Sequence, residues 1–167
     1  MGKVILICGR IGSGKTTYAK KLAKQINAVN ISQDELMLGL FGAEFYDKEP
    51  EKYEKYCSEV ERYVKRKAGE VAKAGSVAIC ENGFWPRSER DELRQYYHDM
   101  DVVCEWHYMD TPEEIRIQNI HHRNEEIKRG DSNFFLASEK DIYHYFEIPT
   151  EDEIDVRVMW QGYSENP

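Results

Sequence analysis

Val4-Ile5-Leu6-Ile7-Cys8-Gly9-Arg10-Ile11-Gly12-Ser13-Gly14-Lys15-Thr16-Thr17 changes character twice within a few residues. Val4 to Cys8 is continuously apolar, as a central parallel strand covered on both faces must be. From Lys15 the period becomes helical: Ala19, Leu22, Ala23 and Ile26 form one stripe, with Lys20, Lys21 and Lys24 off it. Between them, Gly9 to Thr16 fits G-x-x-x-x-G-K-[ST], a strand-loop-helix junction that cradles phosphates. Its glycines let the loop turn amide hydrogens inward with no side chain in the way. The helix opening at Lys15 adds unpaired amides and its positive dipole end. A triphosphate fits this cradle, held by residues 9 to 17, with the Lys15 ammonium on the outer phosphates and the Thr16 hydroxyl toward Mg²⁺.

Outward from that junction, the 167 residues suffice for one domain and leave little room for a second core. Hydrophobic residues make up 41% and charged residues 32%, which suits a folded, soluble protein rather than a disordered one. Lys plus Arg number 23 against 31 Asp plus Glu, a formal charge of -8, the wrong sign for a general binder of duplex nucleic acid or of membrane surfaces. Val4 to Cys8 is far too short to span a bilayer, and no signal-peptide cleavage pattern follows it, so a cytoplasmic location is expected. Cys8, Cys57, Cys80 and Cys104 are widely spaced and read as reduced thiols, mostly in core strands.

Short apolar runs alternate with helical periods throughout, which predicts an α/β fold around a parallel sheet. Further strands are expected at 28–31, 77–80, 102–109 and 156–160. Ser32 with Glu35 reads as a capping box opening a helix toward Leu40, with a loop from Phe41 to Pro50. Glu51 to Ala74 forms the longest helix, with Tyr53, Tyr56, Cys57, Val60, Tyr63, Val64 and Val71 on one face and Gly75 ending it. Ser88 with Asp91, and Thr111-Pro112 with Glu114, read as further helix starts. A short helix is expected over 138–146, and Ser164 to Pro167 is expected to fray.

The cradle, Asn30-Ile31-Ser32-Gln33-Asp34-Glu35-Leu36, Glu81-Asn82-Gly83-Phe84-Trp85-Pro86-Arg87-Ser88-Glu89-Arg90, and Arg116 with Arg123-Asn124 together resemble the small P-loop kinases. Within these the chain is similar to the branch of polynucleotide 5'-kinases, chloramphenicol phosphotransferase and zeta-toxin-like kinases. The resemblance implies a three-layer fold with a five-stranded parallel sheet in the order 2-3-1-4-5. It also implies Mg²⁺-ATP as donor and a small-molecule or nucleotide acceptor. Asp34 matches the acceptor base of these relatives, a role in which a carboxylate orients the attacking hydroxyl and collects its proton.

Glu81, an acid ending a buried strand, looks like the Walker B carboxylate, holding Mg²⁺ or contacting the acceptor. Arg87 and Arg90 are candidates to neutralise the acceptor, and Trp85 to stack on its ring. Arg116 and Arg123 share one helical stripe with Asn119 and resemble lid arginines that stabilise the transferring phosphoryl group, with a lid over 116–137. The segment Phe146-Glu147-Ile148-Pro149-Thr150 resembles the loop that lines adenine. Nucleic-acid-binding relatives often carry arginine three residues after the base; Met37 stands there, which favours neutral or cationic acceptors. An antibiotic, a sugar, a nucleoside or another metabolite all stay open as acceptor. So do a polynucleotide 5'-hydroxyl and a switch NTPase with no small-molecule acceptor.

Overall fold

A computed structural model of the protein describes residues 2–161. The expected frayed end at Ser164 to Pro167 lies outside them. The elements run β1 (Lys3–Cys8), α1 (Lys15–Ile26), β2 (Val29–Ser32), α2 (Gln33–Phe41), α3 (Phe45–Lys48), α4 (Pro50–Lys73), β3 (Val77–Glu81), α5 (Arg87–Asp99), β4 (Val103–Asp110), α6 (Glu113–Arg129), α7 (Glu139–Ile142) and β5 (Val156–Met159). The strands form one five-stranded sheet in the order β2-β3-β1-β4-β5, and every pairing is parallel. The α/β class and the strand order both match the sequence reading.

The unbroken apolar run of β1 has a direct cause. Val4, Leu6 and Cys8 face one layer, where Val64, Ala68 and Ala72 of α4 and Leu93 and Tyr97 of α5 pack. Ile5 and Ile7 face the other, against Ala19, Leu22 and Ala23 of α1. A strand sandwiched in this way can carry no polar face. The edge strand β5 alternates instead, with Arg157 and Met159 turned to solvent. On α4 the small residues Ala68, Gly69 and Ala72 are buried, so the helix lies close to its neighbours. A Cβ at Gly69 would sit 2.6 Å from Met100 Cε.

Some local expectations are corrected. Tyr63 and Ile26 lie outside the buried stripes, 45% and 41% exposed. The segment from Phe41 to Pro50 is not all loop, because residues 45–48 form α3. Ser88 does not cap α5, whose first residue is Arg87. Thr111 does not cap α6; its hydroxyl donates to Ser13 O at 2.8 Å, which ties β4 to the glycine-rich loop. Ser32 does cap α2, accepting from Glu35 N at 3.3 Å, while the Glu35 carboxylate pairs with Lys20 rather than closing a box. Burial pushes the Cys8, Cys80 and Cys104 thiols up to about 12, which leaves them inert at neutral pH. Among the described residues no helix is long and apolar enough to cross a membrane.

Candidate active site

The loop between β1 and α1 lies at the carboxyl end of the central strand, where an open α/β sheet presents its crevice. Gly12 and Gly14 hold φ of 78° and 88°, the left-handed region that side chains disfavour. Space forbids a side chain as well. A Cβ on Gly12 would come within 2.6 Å of Arg116 O, and one on Gly14 within 2.8 Å of Trp160 Nε1. Lys15 turns back over the loop and donates to Gly9 O and Arg10 O, both at 2.9 Å. Among the described residues the buried Ser13 hydroxyl has no hydrogen-bond partner. A glycine-rich loop whose carbonyls hold an ammonium at a helix N-terminus, beside a buried hydroxyl, fits a phosphate chain.

Beside it, the register that pairs Ile7 with Glu81 and Ser32 with Glu81 brings β1, β2 and β3 to one edge. There Glu81 accepts from Thr16 Oγ1 and from Ser32 Oγ, each at 3.0 Å. A hydroxyl and a carboxylate side by side are oxygen donors of the kind Mg²⁺ takes, usually keeping several of its waters. Ser32 thus holds Glu81 as well as capping α2, a second role not visible in the sequence. Asp34, in the first turn of α2, faces the same space. Burial raises the Asp34 carboxyl above its usual value, against the opposing charges of Lys15 and Arg123. Burial likewise raises Glu81, opposed by Lys15 and reinforced by the Asp34 charge. Desolvation lowers the Lys15 ammonium, and Glu81 and Asp34 pull it back up. Two acids and one cation in a small, poorly hydrated volume therefore hold one another's charge states.

Arg123 joins this group from α6, its guanidinium 4.9 Å from the ring centre of Phe134. Arg116, expected beside it as a second lid arginine, is elsewhere. It is 1% exposed, and its guanidinium donates to Ile11 O at 3.2 Å and Ile142 O at 3.1 Å. This corrects its assignment: Arg116 is buried and fastens the glycine-rich loop to α6 and α7. Asn119 does the same for Gly12 O at 2.9 Å, a contact the sequence reading did not anticipate. Arg10 pairs with Glu113 at 3.0 Å, and Ile11 packs on Ile120 and Ile142, so α6 rides on the loop. Thr17, in the first turn of α1, is half-buried.

The arginines after β3 are also corrected. Arg90 is 0% exposed and donates to Glu153 at 2.8 Å and to Phe84 O and Trp85 O. Arg87 pairs with Asp152 at 3.0 Å, and its amide donates to Glu147. Both bind the loop before β5 to α5, Arg90 from within the core and Arg87 at the surface. Trp85 lies across Gly83, its ring edge-to-face with His144 at 3.9 Å, and so packs the scaffold instead of offering a free stacking face. Phe146, in the loop matched to adenine lining, is buried against Tyr108, and Glu147 N donates to Trp85 O. Met37 is 1% exposed, so it meets α2's neighbours rather than an acceptor.

The Arg90–Glu153 pair gives a test of this scaffold. Burial alone would raise the Glu153 carboxyl, but the bonds from Arg90 and Thr150 overcome it and hold the carboxyl below its usual value. Arg90→Met is expected to destabilise the fold by about 3–5 kcal/mol in urea melts, since it strands a buried carboxylate. Arg90→Met with Glu153→Leu is expected to recover most of that loss.

With this geometry in view, comparison with known proteins is direct. The sequence profile described as "AAA domain" matches residues 4–142. The chain belongs to this AAA domain family. The matched span takes in the cradle, Asp34, Glu81 and Arg123, and leaves out β5. Solved structures share the fold of this AAA domain, which is that of the P-loop kinases. The Mycobacterium tuberculosis APS kinase CysC, in complex with AMPPNP and APS, is 21% identical over 97% of this chain and 90% of its own, with a TM-score of 0.64. A sugar kinase from Janibacter sp. HTCC2649 is 17% identical over 95% and 86%, TM-score 0.64. A gluconokinase from Sinorhizobium meliloti 1021 is 17% identical over 94% and 82%, TM-score 0.61. No curated protein sequence matches the chain significantly.

Proposed function

We propose that this AAA domain is an ATP-dependent kinase that transfers the γ-phosphoryl group of Mg²⁺-ATP to a hydroxyl of a small-molecule or nucleotide-like acceptor. One observation carries the reading: Asp34 is a half-buried carboxylate set between the cradle lysine and Arg123. A nucleotide switch needs a cradle and a metal-side acid, but no such base.

Amides of residues 9 to 17 hold the triphosphate, and Lys15 exchanges its loop carbonyls for phosphate oxygens. Thr16 and Glu81 would hold Mg²⁺, which would supply charge neutralisation to the phosphate chain. Asp34 orients the acceptor hydroxyl in line with the γ-phosphorus. The acceptor oxygen forms the new O–P bond, the bond from the γ-phosphorus to the β–γ bridging oxygen breaks, and ADP leaves. Asp34 takes the hydroxyl proton late in the step. Arg123 stabilises charge spread over the transferring group. The lid is then the far part of 116–137, from Arg123 to Ala137, because Arg116 is anchored to the loop below it.

Incubation with γ-labelled ATP and a pooled set of alcohols, nucleosides and 5'-hydroxyl oligonucleotides tests the reading. Label is expected on an organic acceptor. Label appearing as free phosphate alone, unchanged by Asp34→Asn, would overturn it.

A further inference from the structure

Four titratable side chains away from the crevice form one hydrogen-bonded line between the phosphate-loop helix and the sheet. Tyr18 on α1 meets His107 on β4, Oη to Nδ1 at 2.9 Å, with ring centres 5.8 Å apart at 45°. His107 Nε2 meets Glu105 Oε1 at 2.7 Å, and the other Glu105 oxygen accepts from Lys3 of β1. His107 is 4% exposed, and none of the four belongs to the cradle or to the acids beside it.

The line has a direction. Burial would raise the Glu105 carboxyl, but the bonds from Lys3 and His107 overcome it and hold the carboxyl below its usual value. An ionised carboxylate can only accept, so the proton of the neutral imidazole sits on Nε2. Nδ1 is left with a lone pair, and Tyr18 donates its hydroxyl proton to it. Lys3 thus fixes Glu105, Glu105 fixes the imidazole, and the imidazole fixes the phenol.

What hangs on this line is the first turn of α1. Tyr18 lies one turn beyond Lys15 and just past Thr16, which donates to Glu81. Against the sheet the same helix sets Ala19 and Ala23, whose methyl groups have no preferred direction of contact. The Lys20–Glu35 pair is more than half exposed on both sides and so holds α1 weakly. A directional bond from Tyr18 across to β4 resists both sliding and rotation of the helix.

Resting on the reading of residues 9 to 17 as a phosphate cradle, we propose that His107 is a positioning residue for nucleotide binding. Through Tyr18 it sets the rotation of α1, and so where the Lys15 ammonium and the Thr16 hydroxyl stand against the phosphate chain. It acts on the nucleotide only by way of this helix.

Titration calorimetry of Mg²⁺-ATP into the full chain, beside thermal melts, tests this. Tyr18→Phe and His107→Leu are each expected to raise the Kd about fivefold, as the loss of one net hydrogen bond would. Combined, they are expected to cost no more than either alone, since each breaks the same bond. His107→Asn is expected to restore most of the affinity, because its amide oxygen can accept where Nδ1 does. Tyr97→Phe is the control. It also deletes a phenol hydrogen bond, 3.0 Å to Lys65 O, but on the opposite face of the sheet, and is expected to leave the Kd unchanged. Nitrogen NMR of the His107 imidazole is expected to find the proton on Nε2. Parental affinity in both single variants, additive losses in the double variant, an equal loss in Tyr97→Phe, or a proton on Nδ1 would each overturn the proposal. No heat with ATP from the parent would overturn the cradle reading and this proposal with it. ATP binding without transfer to any alcohol would sink the kinase reading and leave this one standing.

Discussion

Asp34→Asn is expected to lower phosphotransfer by about two to four orders of magnitude while nucleotide affinity stays near that of the parent. The amide matches the carboxylate in shape, so the hydroxyl can still approach, but it cannot accept the proton or hold the alcohol as strongly. Single-turnover transfer of labelled phosphate, beside calorimetric titration of ATP, separates the two effects. The same substitution is expected to leave thermal stability equal or higher at neutral pH. Burial places the folded Asp34 carboxyl above its ordinary 3.8. Its contribution to stability is therefore full below the ordinary carboxylate range and is lost as pH rises through the folded value. Removing the charge removes that loss. Activity runs the opposite way, since only the ionised carboxylate is a base. The parent's rate should fall on the acid side at a pH above 3.8, a limb that Asp34→Asn lacks. A variant at full rate, or one that binds ATP no better than an unfolded chain, would end the base assignment.

Lys15→Ala is expected to weaken ATP binding and to slow transfer of whatever still binds, together by about two to three orders of magnitude. Lys15 donates to two loop carbonyls and offsets the Glu81 and Asp34 charges, so its loss leaves the loop without its cation, Glu81 without its opposing charge and Asp34 with Arg123 alone. Lys15→Arg is expected to rescue little. A planar guanidinium does not fit where a compact ammonium bridges carbonyls within a tight turn. Calorimetry showing parental heat for either variant would contradict the cradle assignment.

The cradle was legible because its chemistry is local. Gly12 and Gly14 serve left-handed backbone, Lys15 and Thr16 open the helix, and all lie within one turn of each other in the chain. The parallel sheet was legible too, since the covered faces of β1 leave an uninterrupted apolar run. The arginines were not. Arg87, Arg90 and Arg116 show the same residue type and spacing whether they meet a ligand or a neighbouring loop. What decides is the partner, and Glu153 lies far along the chain from Arg90.

The aromatic cluster around α4 is a sharper case. Phe41, Tyr53 and Phe135 sit in unrelated segments, and nothing in their spacing announces that α4 and the stretch after α6 meet.

From the sequence alone follow the class of the fold and the place of the glycine-rich loop between β1 and α1, because each depends on backbone geometry within a few residues. Tertiary structure alone decided which cations face the crevice and which hold the scaffold, because a charge takes its role from whatever carboxylate, carbonyl or ring the folded chain brings against it.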